Sequence, residues 1–442
     1  MTNILILGAG KSSAYLVQYL LGLASKKKWF ITVADANLEA ATDRIGNSSD
    51  GVAIQVDILD ESARKRIIAD NNLVISLLPP HLHYLAAIDC LTLRRNLITA
   101  SYLSDEIKAM HSDVEKAGLL FMNEMGLDPG IDHMSAMKII HGIEKVGGEL
   151  YSFKSYCGGL MSPESDNNPW HYKISWNPNN IVNAGKNGAE FKLHGFNKHI
   201  EYKNLFSDYD LVEVPQIGQI AAYPNRDSLN YMSLYGLKNI KTMLRATFRY
   251  EPFCIAWHVI VNLGLTNQDE KINVKNLNWL DWFMYASRHV EGQSPQEKIK
   301  HISANPMAYE LLNWLGLFSN DNILLPIPEA SHGYILQHLL EQRWKMDKKD
   351  KDLIVMHHIF EFNKKDMYNK LTSTLIVKGE DKTFTAMAKT VGLPMAIFAN
   401  LVLSKKIDHI KGVHIPVMKE VYKPVLKELE DYDINFIEHY DL

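Results

Sequence analysis

Short apolar runs alternate with longer stretches of helical spacing through residues 3–123 of this chain. The runs at 4–7, 30–34, 52–56, 73–77, 96–99 and 119–123 are largely apolar, as strands covered on both faces are. Between them, residues 12–24 and 61–69 repeat apolar positions at helical spacing, which predicts crossover helices. Six strands in this rhythm predict an α/β fold, a Rossmann-type doubly wound parallel sheet, with ligands at the carboxyl edge of the strands.

After residue 127 the rhythm stops. Strand-like segments at 149–157 and 189–193, set among loops rich in Asn, Pro and Gly, predict a mixed α/β substrate domain over 128–265. Strands expected at 353–362 and 373–377 return the chain to that domain, giving it 352–384 as well. Residues 266–351, polar and helical with scattered Trp279, Trp282 and Trp314, read as a helical insertion. The run KMDKKDKD at 345–352 has no apolar face and reads as a solvated connection between domains. A long apolar helix is expected at 386–403, and 385–442 is expected to rejoin the first domain.

At 442 residues the chain exceeds what one core organises, and 46% hydrophobic with 22% charged residues is ordinary soluble composition. A net charge of -4 gives no broad positive field, so nucleic acid and anionic membrane are not expected partners. Cys90, Cys157 and Cys254 lie far apart, and the histidines show no metal-ligand spacing, so neither disulfides nor a metal is expected. With no basic leader and no apolar run of spanning length, the reading is cytoplasmic. The apolar run 253–265 suits a homodimer surface as well as a core.

The first strand ends on Gly8-Ala9-Gly10, just ahead of a helix. Glycines there let the chain turn tightly and bring backbone N–H groups against a pyrophosphate at a helix N-terminus. Gly8, Gly10, Lys11, Ser12 and Ser13 are therefore the first cofactor candidates. Ser13 takes the third small position of the fingerprint, so helix and strand are expected slightly farther apart than a glycine allows. Asp35 closes the second strand, where a carboxylate accepts from the ribose hydroxyls and repels a 2'-phosphate, which favours NAD over NADP. Asp35 could instead cap the next helix, although Asn37 can do that. Asp57, after the third strand, is placed near the adenine edge.

Longer strings are more particular. They are Ala100-Ser101-Tyr102, NEMGLDPGIDHM at 123–134, SYCGG at 155–159, YPNRDS at 223–228, RATFRY at 245–250 and AMAKTVGLP at 386–394. Together they resemble the glutamate-forming saccharopine dehydrogenases over nearly the whole chain, least between 266 and 346. The resemblance implies nicotinamide-dependent, reversible oxidation of saccharopine with water to glutamate and 2-aminoadipate 6-semialdehyde in lysine metabolism. It also implies a nucleotide domain, a mixed α/β substrate domain and a helical third domain. Fungal NADPH-using members tend to carry a basic residue after the second strand. Asp35 is more like the animal enzymes that use NAD, which tilts the expectation toward lysine breakdown. The segment MSPESDNN at 161–168 departs from the family's usual PAPE-containing version.

Saccharopine carries three carboxylates, and arginine meets a carboxylate with two parallel donors. Arg226 and Arg249 are the first choices, with Arg245 behind them because only one of Arg245 and Arg249 need face inward. Thr247 and Phe248 are counted as further substrate contacts. Ser101 and Tyr102 resemble the family's substrate-binding pair. A phenol of ordinary pKa near 10 is a poor base, so Tyr102 is expected to bind before it catalyses. Asp128 resembles a substrate-facing acid that pairs with the amine or relays a proton; otherwise, before Pro129, it starts a turn. Cys157, between Tyr156 and two glycines, either touches substrate where backbone can approach a ligand or is a buried structural thiol. Leu77, Leu78, Met125 and Trp176 complete the expected cofactor contacts, and His133 is expected to orient its loop. Two other functions suit the same residues: a related oxidoreductase for a carboxylated polyamine, or a catalytically silent cofactor-sensing protein.

Overall fold

The structure, a computed structural model, describes residues 1–365 and 367–441. The chain forms two compact units, one of Met1–Glu149 with Leu375–Phe436, the other of Leu150–Thr374 with Ile437–Leu442. The boundary expected at 127 thus falls inside the first unit.

The first unit is built on β1 (Thr2–Leu7), β2 (Trp29–Asp35), β3 (Gly51–Gln55), β4 (Leu73–Ser76), β5 (Asn96–Thr99) and β6 (Leu120–Met122). All run parallel in the order β6-β5-β4-β1-β2-β3, and the strand Gly412–His414 adds a seventh beside β6. Strand β1 pairs with β2 on one side and β4 on the other, so the sheet reverses direction at the turn after Leu7. Buried Leu5, Leu7, Val74, Leu97 and Phe121 pack beneath the helices on one face, which accounts for the unbroken apolar runs. Each expected strand is present within one or two residues.

The helices are α1 (Ala14–Lys27), α2 (Leu38–Ile45), α3 (Glu61–Ala69), α4 (His83–Thr92), α5 (Asp105–Ala109), α6 (His111–Lys116) and α7 (Ile131–Lys145). Asn37 caps α2 by accepting from the Ala40 N–H at 3.2 Å, and Asp60 caps α3 through Ala63. The helix Ala386–Leu403 lies against α1. It is long and apolar enough to cross a membrane, contrary to the reading that no run is, but 72% of it is buried in the protein and it serves as a core helix. Gly392 permits the contact: a Cβ there would stand 2.9 Å from Leu16 N and 3.2 Å from Ser12 O.

The second unit carries β7 (Glu149–Met161), β8 (Ala189–Leu193), β9 (Phe196–Ile200), β10 (Asp210–Val214), β11 (Gly218–Pro224), β12 (Arg226–Asp227) and β13 (Thr242–Arg249). With β14 (Lys271–Asn273) and β15 (Glu329–Ser331) forming a separate pair, β16 (Asp352–Lys364) and β17 (Met367–Lys378) complete the labelled strands. The main sheet runs β10-β11-β13-β7-β16-β17 and ends on the strand Phe436–Asp441, with β8, β9 and β12 attached beside β13. Four helices, Trp279–Ala286, Pro295–Ile302, Pro306–Leu315 and His332–Arg343, occupy the stretch read as helical.

One expectation is corrected here and one open alternative is decided. The charged run 345–352 does not connect domains: it lies inside the second unit, and although Lys345, Asp347, Lys348 and Lys349 are exposed as expected, Asp352 is fully buried and Asp350 takes the buried ammonium of Lys173 at 2.6 Å. Of the two readings of the run 253–265, it is core in this chain: Phe253, Trp257, Ile260 and Leu265 are buried, Phe253 against Trp170 and Trp257 against Trp344.

Candidate active site

Gly8 is held at φ +104°, and a Cβ there would crowd the Leu77 carbonyl at 3.1 Å, so the turn and the end of β4 demand glycine together. Gly10 differs: a Cβ there would meet no protein atom within 4 Å. Packing does not require that glycine, and the space over it suits a pyrophosphate drawn to the α1 N-terminus. Ser13 is fully buried at the N-cap of α1. Its hydroxyl donates to Gly10 O at 2.7 Å and accepts from Arg44 Nε at 2.9 Å. The serine thus ties the turn down rather than loosening the packing, and Arg44 also reaches Gly10 O at 3.4 Å. Sequence reasoning missed Arg44, whose only local feature is its place in the last turn of α2. Lys11 is exposed and Ser12 half-buried on the same turn.

Asp35 does not cap α2, since Asn37 does. Its carboxylate accepts from the Ala9 N–H at 2.6 Å and the Asn37 N–H at 2.8 Å, joining the first βα turn to the second. That places a negative charge at the end of β2, where a ribose diol would lie. Leu77 and Leu78 are half-buried just beyond β4. Asp57 is exposed and its carboxylate accepts from Leu59 N–H, a local turn contact.

At the carboxyl end of β5 and β6 the unit gathers a second group. Tyr102 donates its hydroxyl to Asp128 at 3.1 Å, both half-buried. The loop that carries Asp128 is closed by backbone, Gly126 N–H to Pro129 O and Ile131 N–H to Gly126 O, around a cis Asp128–Pro129 peptide. Gly130 sits at φ +146°, where a Cβ would fall 2.0 Å from Gly126 O. Backbone and glycines make the turn, and the Asp128 side chain is directed to Tyr102. Glu124 accepts from the Leu103 N–H at 2.9 Å and bonds His133 Nε2 at 2.7 Å, so His133 is linked to the Tyr102 segment. Met125 is fully buried, its N–H bonded to Thr99 O. Ser101 Oγ lies 2.8 Å from Nε2 of His83.

In the second unit, strand alternation puts Arg245, Thr247 and Arg249 on one face of β13. Both arginines are buried, which corrects the expectation that only one need turn inward: four residues apart on a strand, they share a face. Arg245 lies over the Tyr231 ring at 4.3 Å. Phe248 points the other way and stacks on Tyr156 at 5.2 Å, so its side chain is core rather than beside Thr247. Cys157 stands opposite Thr247 in the parallel β7–β13 register and shares its face. Gly158 is required by protein, not by a ligand: a Cβ would lie 2.5 Å from Phe248 O.

Arg249 donates Nη1–H to Phe248 O at 2.7 Å, and its guanidinium lies over the rings of Tyr172 at 4.9 Å and Phe253 at 5.4 Å. Its Nε is buried without a hydrogen-bond partner. Tyr223, opposite Thr247 on β11, is buried; burial pushes its phenol up to about 12 against the pull of Arg249, so it remains a donor. Trp176 donates to the Tyr172 hydroxyl at 3.0 Å, which groups it with Arg249 rather than with the glycine turn. Arg226 is exposed on β12 at φ +53°, and β12 joins the sheet through β8.

Two family models match the chain and part between residues 122 and 126, ahead of the place where the compact units part. The saccharopine dehydrogenase NADP binding domain matches residues 4–122, and the saccharopine dehydrogenase C-terminal domain matches 126–434. A saccharopine dehydrogenase [NADP(+), L-glutamate-forming] of Saccharomyces cerevisiae is 32% identical over 95% of this chain and 96% of its own length. An alpha-aminoadipic semialdehyde synthase of Arabidopsis thaliana is also 32% identical, over 99% of this chain, which spans only 45% of that longer protein. The solved apo saccharopine dehydrogenase (L-Glu forming) of Saccharomyces cerevisiae superposes with a TM-score of 0.86 at 30% identity, covering 100% of both chains. A homospermidine synthase of Legionella pneumophila, with a TM-score of 0.55 and 11% identity, shares the fold.

Proposed function

This chain belongs to the saccharopine dehydrogenase family, and on that premise we propose that it oxidises saccharopine, with a nicotinamide dinucleotide and water, to glutamate and 2-aminoadipate 6-semialdehyde. Reduced dinucleotide and one proton complete the balance. The observation that carries this reading is Arg249, a buried guanidinium whose Nε has no hydrogen-bond partner and which has no carboxylate within ion-pair distance among the described residues. A buried cation held only by a carbonyl and two ring faces, with Nε unpartnered and no carboxylate beside it, is suited to an anion that the chain does not itself supply. A substrate carboxylate meets the donor at Nε, with Tyr223 as a neutral donor and Thr247 and Cys157 on the same face.

When bound, the dinucleotide supplies an oxidised nicotinamide ring that accepts a hydride. The turn at Gly8–Ser13 would hold its pyrophosphate, and Asp35 would accept from the adenosine ribose. In the first unit Asp128 is the carboxylate suited to pair with an amine and relay its proton, while Tyr102 donates to it and fixes it. Water then attacks the carbon–nitrogen double bond, and the same carboxylate carries protons through the collapse that releases the two amino acids.

NAD is the reading Asp35 favours, and with it lysine breakdown. The half-buried Arg44 beside Gly10 and Ser13, and relatives whose names carry NADP(+), favour NADP. Mixing purified protein with saccharopine and either dinucleotide, and following the near-ultraviolet absorbance of the reduced ring, decides both questions. Silence with both overturns the activity, and the ratio of catalytic efficiencies decides the cofactor.

A further inference from the structure

The side chain of His83, at the start of α4, is buried within the first unit with both ring nitrogens engaged. Nδ1 lies 2.8 Å from the hydroxyl of Ser76, itself fully buried at the end of β4. Nε2 lies 2.8 Å from the hydroxyl of Ser101, half-buried just beyond β5. The three groups form one chain from the sheet interior to the carboxyl edge where the fold binds ligands.

We propose that His83 is a positioning residue for Ser101, fixing through the Ser76–His83–Ser101 chain which way the Ser101 hydroxyl presents itself to saccharopine. A neutral imidazole has one donor and one acceptor nitrogen, so the chain is directional. If Ser76 donates to Nδ1, Nε2–H donates to Ser101 and frees the Ser101 proton for a substrate carboxylate; the other tautomer leaves Ser101 as an acceptor. Burial, with His81 adding to it, holds His83 down at about 4, so the ring is neutral at physiological pH, and its place in the first turn of α4 favours the same state. Ser101 is otherwise anchored by its carbonyl, which accepts from Glu124 N–H at 3.1 Å, leaving the hydroxyl to His83. The inference deepens the proposed function and rests on it for the identity of the substrate.

Two substitutions separate positioning from space filling, because a glutamine amide reaches the place of Nε2 and an asparagine amide that of Nδ1. His83→Gln keeps the partner of Ser101, and its efficiency with saccharopine stays within about threefold of wild type; His83→Asn loses that partner and raises KM about tenfold, the size of one lost hydrogen bond. Ser101→Ala raises KM by a similar factor, and the double variant His83→Asn with Ser101→Ala is no worse than Ser101→Ala alone. Independent multiplication of the two losses overturns the proposal, as do equal losses in the two His83 variants. The second arm needs no turnover: nitrogen NMR of the unliganded protein shows one protonated and one bare His83 nitrogen, and Ser101→Ala moves the Nε2 resonance. An unmoved Nε2 resonance overturns the positioning role even if saccharopine proves not to be the substrate.

Discussion

Arg249 is the residue at which burial and charge disagree most, and the disagreement gives a sharp expectation. Arg249→Lys keeps one charge but removes the fork and the unpaired Nε, so KM for saccharopine rises by roughly 10–100-fold, one charge-assisted hydrogen bond's worth, with kcat changed less. Steady-state kinetics beside circular dichroism checks this, and an unchanged KM in a folded variant removes Arg249 from the site. RATFRY made both arginines visible in the sequence, but not their equal burial, because burial is decided by what packs over β13. Asp35 carries a second residue-level prediction. Its carboxylate both anchors Ala9 N–H and stands where a 2'-phosphate would be repelled. Asp35→Ser therefore shifts the ratio of efficiencies toward NADP by about tenfold or more, while affinity for NAD falls as the turn loses its anchor. A ratio that does not move locates cofactor selection elsewhere, with Arg44 the next residue to change. Nothing in the local sequence announces the Ala9 contact or Arg44, since each is made across 26 or 31 residues of chain.

Between elements, the closest approaches are set by glycines that the motifs contain for packing. Gly392→Ala would drive a Cβ to 2.9 Å from Leu16 N and 3.2 Å from Ser12 O, both backbone atoms that cannot swing aside. The helix Ala386–Leu403 must then lift off α1 at the point where α1 leaves the cofactor turn. We expect a loss of about 1–3 kcal/mol and a measurably weaker dinucleotide Kd, read by thermal unfolding and by fluorescence titration. An unchanged melting temperature would show that the contact yields more easily than its backbone atoms suggest. AMAKTVGLP was legible as a family string and 386–403 as an apolar helix, but the reason for the glycine lay at Ser12 and Leu16, at the other end of the chain. Strands β1, β2, β4, β5 and β6 were legible because buried parallel strands are apolar throughout; β3, at the sheet edge with Val52 exposed, showed the same kind of run without the burial. The strand Gly412–His414 was not, for three residues at a sheet edge leave no pattern. Nor was the fate of 345–352: the charges advertise solvent, and only Lys173, distant in sequence, reveals that Asp350 is buried as half of an ion pair.

For the whole molecule, the consequence that reaches both units is acid sensitivity. His83 in the first unit and His357 in the second are both held down at about 4, chiefly by burial, with His81 and Lys370 respectively adding to it. An unfolded histidine titrates near 6.5, so between about 6.5 and 4 the unfolded chain binds protons that the folded chain refuses. The sign follows: stability is complete above 6.5 and is lost as pH falls through the window. Each histidine then withdraws on the order of 1 kcal/mol by pH 5.5 and more below, in addition to whatever the carboxylates withdraw at lower pH. Urea unfolding at pH 7.5 and 5.5 should therefore show the midpoint falling with acid, and His83→Gln, which has no proton to take up, should recover one histidine's share of that fall. A His83→Gln midpoint that falls as far as the wild type's would mean that His83 is protonated inside the fold, and the directional chain through Ser76 and Ser101 would fail with it.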